Sequence, residues 1–138
     1  MKSYERPLTI WGFLWGFPVT LLGMLLGLLS LSKWRFNAGI LVLEGDRGVA
    51  HLFLTKRGFA AMTLGRAVLV VGTLDWATWV HELQHARQTE RLGVFFPPAY
   101  LVQHMRFGYE GNPFEVEAVR VAAEFAADYP EKATEKYL

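Results

Sequence analysis

The chain has 138 residues and a net charge of +1, so its length suits one domain with at most an appended segment, and no broad basic field points to nucleic acid. It contains no cysteine, which excludes disulfides, thiol nucleophiles and cysteine-held zinc; any metal site must be built from His, Asp and Glu. Apolar residues make up 52% of the chain, and the excess is concentrated near the N-terminus.

From Pro7 to Ser32 there is no charged residue. A bilayer core takes about 20 apolar residues as helix, so this run is long enough to span. Trp11, Trp15 and Trp34, with Lys33 and Arg35, suit membrane interfaces. Pro18 is tolerated within a membrane helix at the cost of a kink. Gly12, Gly16, Gly23 and Gly27 form two small-xxx-small pairs that would admit another helix, and hence a homo-oligomer. The run is longer than a signal-peptide core and lacks an A-x-A cleavage pattern. The expectation is a membrane protein, single-pass or monotopic: residues 1–36 form a transmembrane segment in the lipid bilayer, and residues 37–138 form the folded domain. Lys2 and Arg6 before the run, and Lys33, Arg35 and Arg47 after it, give only a slight orientational bias.

Residues 39 to 72 read as β structure. GILVLEG, GVAHLFLT and RAVLVVG are rich in Val, Leu and Ile, with Asp46-Arg47-Gly48 and Lys56-Arg57-Gly58 as turns. Three or four antiparallel strands are expected. His51 falls in the second and reads as a packed or surface residue.

From Thr73 the period changes. Thr73 or Asp75 caps a helix running to about Leu92, where Gly93 stops it. A shorter helix starts at Pro97. GYEGN reads as a loop, and Asn112-Pro113 opens a last helix that Tyr129-Pro130 breaks after Asp128. The charged tail is expected to fray, unless Tyr137 and Leu138 dock. The fold class is therefore α+β, a small antiparallel sheet with about three helices behind an N-terminal transmembrane helix.

The chemistry concentrates in HELQHARQ, residues 81–88. At about 100° per residue, His81, His85, Gln88 and Leu92 share one helix face, while Trp79, Leu83 and Ala86 point into the core. Two imidazoles one turn apart can both reach a single tetrahedral zinc ion. Glu82, pointing to the side, is placed to act as general base on a metal-activated water. Catalytic zinc needs a third protein ligand. Arg91 stands where one class of HExxH enzymes places a third histidine, so the candidates are His104 and the acidic residues after it. On the last helix Glu115 shares an apolar face with Val119, Ala122 and Ala126, whereas Glu117 lies on the polar side with Arg120, Glu124 and Asp128. A carboxylate on an apolar face needs a partner, and a cation is a good one. Asn112-x-x-Glu115 also reads as a capping box, in which Glu115 folds back on the helix start. Gln88 is placed to orient a ligand or touch substrate. Tyr100, His104 and Tyr109 are candidate donors to a developing oxyanion.

HELQH followed by NPFEVEA about thirty residues later resembles the gluzincin metallopeptidases, especially the compact minimal ones. The resemblance covers roughly residues 60 to 126. It implies zinc held by His81, His85 and Glu115, with Glu82 as base. It further implies that the TLGRAVLVVG stretch is an edge strand that binds a peptide or protein substrate as an added strand. Val119 departs from the family pattern, standing where an aspartate usually supports a histidine; Glu117, Asp128 or a backbone carbonyl would have to substitute. The function expected is a membrane-anchored zinc metallopeptidase. The alternatives are a non-catalytic metal-binding protein and a membrane interaction protein.

Overall fold

The computed structural model describes residues 1–45, 48, 54, 56, 58 and 60–137, and the statements below concern these. His51, Asp46, Arg47, Arg57 and Leu138 lie outside them. Of the stretch 48–55 expected as a strand, only Gly48 and Leu54 are described, and neither belongs to a strand.

The apolar N-terminal run is not one helix. It forms α1 (Ile10–Trp15) and α2 (Phe17–Leu29), broken at Gly16. Pro18 explains the break: it has no N–H for the carbonyl of Leu14, and its ring would collide with that carbonyl in a continuous helix. It is tolerated in the first turn of a new helix, where no such bond is made. The 13 residues of α2 reach about 20 Å at 1.5 Å each, short of a hydrocarbon core of about 30 Å. No helix among the described residues is long and apolar enough to cross a membrane. The expected transmembrane segment, and the membrane placement that rested on it, are corrected accordingly.

The sheet is mixed rather than antiparallel. Its strands are β1 (Lys33–Asn37), β2 (Ile40–Glu44), β3 (Ala61–Leu64) and β4 (Ala67–Val70), in the order β1-β2-β4-β3. Two antiparallel hairpins, β1–β2 and β3–β4, are joined by a parallel pairing of β2 with β4, in which Leu41 faces Ala67 and Val42 faces Val68. All four residues of β4 are buried, as a strand covered on both faces requires. The expected edge strand in TLGRAVLVVG is therefore a hairpin. Its second half lies inside the sheet, and the edge is β3, which includes Thr63 and Leu64.

Side-chain alternation divides the core in two. Ile40, Val42, Val68 and Val70 meet Leu74, Trp79 and Ala86, so this face seats α3 (Trp76–Leu92). Leu43, Ala67 and Leu69 face the other way, where Leu26 of α2 packs. Gly23 and Gly27 are buried at this contact, whereas Leu21, Leu22, Leu25 and Leu28 on the outer side are exposed. A Cβ at Gly23 would stand 2.7 Å from Cβ of Ala67 and 3.3 Å from the carbonyl oxygen of Leu64. Gly23→Val is expected to destabilise the protein by about 1–3 kcal/mol through overpacking, read by denaturant unfolding. Stability equal to wild type would mean that α2 does not press on the sheet.

The helical boundaries follow their caps. Asp75 accepts from the Thr78 amide at 2.7 Å, and Gly93, at φ 57°, ends α3. The next helix, α4 (Phe96–Gly111), begins one residue before Pro97 and continues across the expected GYEGN loop, kinked at Gly108, where φ is 75°. Asn112 caps α5 (Pro113–Asp128) by accepting from the Phe114 amide at 3.0 Å. The tail is docked. After α6 (Pro130–Thr134), the Tyr137 amide donates to the Leu74 carbonyl at 2.7 Å, and its ring stacks on Trp79 with centroids 4.2 Å apart. The N-terminal residues are strapped across α3: Arg87 donates to the carbonyls of Tyr4 and Arg6, and Arg66 pairs with Glu90 at 2.6 Å.

Candidate metal centre

Two helices build the site. The buried residues of α3 lie on both of its sides, because it is sandwiched between the sheet and α5. Its outer side carries Val80 against Val121 and Phe125 of α5, and this packing brings Glu115 over His81 and His85.

The three side chains converge at nearly equal distances. His81 Nε2 lies 3.1 Å from Glu115 Oε2, His85 Nε2 lies 3.1 Å from Glu115 Oε1, and the two Nε2 atoms are 3.2 Å apart. Ligand atoms about 2.0–2.1 Å from a tetrahedral ion stand about 3.3 Å from one another, so the triangle has the size a zinc-like ion needs. Two imidazole nitrogens aimed at each other also compete for one proton, and a shared cation resolves that conflict. The group can hold a metal ion.

The electrostatics agree. Burial opposes ionisation of Glu115, but hydrogen bonds with His81 and His85, the charge of His85 and the Tyr100 hydroxyl outweigh it and hold the carboxyl well below the usual range. For His85, burial disfavours the charge, yet the bond to Glu115 and the nearby Glu82 and Glu115 carboxylates raise its pKa above the ordinary histidine value. A metal ion binding there would have to displace the protons that this His–Glu pairing favours.

Gln88 fixes which nitrogen of His85 is bare. Its amide nitrogen donates to Glu117 Oε2 at 2.8 Å and to the Phe114 carbonyl at 2.9 Å, so its oxygen faces His85 Nδ1, 2.8 Å away. An oxygen there accepts only if Nδ1 carries a hydrogen, so in the neutral imidazole that a metal requires the lone pair is on Nε2, facing Glu115 and His81. Arg91 in turn holds Glu117 Oε2 at 2.6 Å. Gln88 thus orients His85, and Glu117 acts one step behind it. Gln88→Leu is expected to weaken metal affinity about 10–100-fold, the usual effect of losing such a support, measured by competition with a chelator. An unchanged affinity would remove Gln88 from the site.

The other candidates are placed as follows. Glu82 is buried, with its Oε2 accepting from the Thr63 hydroxyl at 2.5 Å. Glu115 does not fold back on Asn112. It belongs to the buried arc of Ala118, Val121 and Phe125, rotated from the expected one, and Val119 is 57% exposed. Tyr100 donates to Glu115 Oε1 at 2.8 Å, so it supports the ligand; burial and that carboxylate push its phenol pKa up. Tyr109 lines a cavity of about 320 Å³ together with His81, Glu82 and Ala61 of β3, and burial and Glu115 raise its pKa as well. His104 stacks on Tyr100 and stays outside the ligand group. A larger cavity, about 430 Å³, holds none of the three ligands; its Arg91 and Glu117 reach the site only through Gln88. Thr63 escaped sequence reasoning, because no motif links it to a helix nineteen residues away.

No family model, curated protein or solved structure matches this chain. The likeness to gluzincins rests on the two motifs alone.

Proposed function

We propose that the protein is a zinc-dependent peptidase, with His81, His85 and Glu115 as ligands and Glu82 as general base. The observation that carries this reading is a three-residue ligand group with Glu82 lining the same cavity as His81, beside the sheet edge β3. Structural zinc sites usually have four protein ligands, and three leave a position for water and substrate. Among the described residues the group contains three.

Zinc held there would supply Lewis acidity and bring the pKa of water toward neutrality. The chain's own residues would do the rest. The edge of β3, unpaired among the described residues, would offer backbone hydrogen bonds to an extended peptide. Glu82 takes a proton from the attacking water as the carbon–oxygen bond forms, and returns it to the amine as the carbon–nitrogen bond breaks. The Tyr109 hydroxyl, in the same cavity and hydrogen-bonded to Glu115, would turn to the carbonyl oxygen as that oxygen gains charge.

The test has two arms. Metal analysis of purified protein should find about one zinc per chain, lost when Glu115 is replaced. Zinc-loaded protein, incubated with a peptide library and analysed by mass spectrometry, should produce cleavages that are missing with Glu82→Gln. Zinc without any cleavage would leave a metal-binding protein and reject the peptidase.

A further inference from the structure

A general base works only if its carboxylate is held toward the water it deprotonates. Glu82 is buried, and a carboxylate in that position needs a donor. The donor comes from the sheet. Thr63 Oγ1 stands 2.5 Å from Glu82 Oε2 and 3.3 Å from the Glu82 backbone oxygen. A hydroxyl has one proton, and the shorter contact, at the distance of a charge-assisted bond, takes it. Oε2 is thereby anchored, and Oε1 is left to serve the reaction.

Thr63 is itself held. It is buried on β3, and its register opposite Val68 is set by the β3–β4 pairing. Two residues earlier on the same strand, and so on the same face, Ala61 lines the cavity shared by His81 and Glu82. One short strand therefore presents the edge of the sheet among the described residues, a wall of the cavity and the hydroxyl that holds Glu82.

We infer that Thr63 is the positioning residue for Glu82, setting the base in register with a peptide bound along the edge of β3. This rests on the proposed peptidase reading. A hydroxyl serving only to satisfy a buried carboxylate would support folding. It would not separate kcat from KM.

The test uses zinc-loaded full-length wild type, Thr63→Val, Thr63→Ser and Glu82→Gln. Three quantities are measured: zinc affinity, affinity for acetohydroxamate, and kcat and KM on a peptide that wild type cleaves. Acetohydroxamate is a two-oxygen metal ligand that shares its proton with a neighbouring base, so it reports on Glu82 without turnover. Thr63→Val should keep zinc affinity within about threefold, while kcat and hydroxamate affinity fall about 10–100-fold with KM unchanged. Thr63→Ser should restore both. If Thr63→Val does not fold, Thr63→Ala removes the same hydroxyl without adding bulk and takes its place. Unchanged kcat and hydroxamate affinity would overturn the inference. So would loss of zinc in step with activity, because Thr63 would then support the ligands, or failure of serine to restore either quantity. Wild type that holds zinc but neither binds hydroxamate nor cleaves peptide would reject the peptidase reading itself, and the wild-type result alone decides that.

Discussion

Glu115→Ala is expected to weaken zinc binding by two orders of magnitude or more. Four-ligand structural sites hold zinc with about 10–16 kcal/mol, so one ligand's share is about 3 kcal/mol, or roughly a hundredfold in affinity. The loss should be larger than for Glu117→Ala, because Glu117 reaches the histidines only through Gln88. The metal-free variant should lose stability as well. Both imidazoles face Glu115, and its removal takes away the buried carboxylate that pairs with both ring nitrogens. Isothermal titration with a zinc buffer separates the two effects. Zinc affinity that survives Glu115→Ala but fails in Glu117→Ala would reverse the assignment.

Glu82→Gln should do the opposite: keep the metal and lose the reaction. The carboxylate of Glu82 lies outside the ligand group and is engaged by Thr63, so the amide can replace it with little change in zinc content. Removing a general base costs about 10²–10⁴-fold in rate. Single-turnover cleavage of a peptide identified with wild type, at equal zinc occupancy, reads that loss. Turnover equal to wild type would show that Glu82 is not the base. Loss of zinc would place Glu82 among the ligands. The pair of variants therefore separates binding from chemistry, which neither does alone.

Where the controlling interaction is local, the sequence reads well. Asp75, Gly93 and Asn112-Pro113 bound their helices through contacts within four residues, and the structure keeps them there. Helical phase alone put His81, His85 and Gln88 on one side of α3, where they meet Glu115 and Glu117. The phase of α5 was less legible. Its buried arc is set by where Val80 meets Val121, a contact between segments forty residues apart. The N-terminal run misleads for a physical reason. Leu21, Leu22, Leu25 and Leu28 stay exposed, so α2 is apolar on its outer as well as its inner side, and hydropathy cannot tell it from a bilayer helix. The break at Gly16 depends on where Pro18 falls relative to Leu14, which composition does not register. Thr63 was invisible because its meaning comes from a partner on another element.

The parallel seam between β2 and β4 has a kinetic consequence. Each hairpin closes through a two-residue turn, Ala38-Gly39 or Gly65-Arg66, and such local contacts form within microseconds. Leu41 and Ala67 meet only after the intervening chain has looped, which makes the seam the slow event in folding. Helix α2 lies across it, with Gly27 against Leu43 of β2 and Gly23 against Ala67 of β4. In the folded protein this apolar segment thus holds the two hairpins together. Gly23→Val should accordingly slow refolding more than it speeds unfolding, whereas the late-docking tail at Tyr137 should govern how fast the finished structure opens.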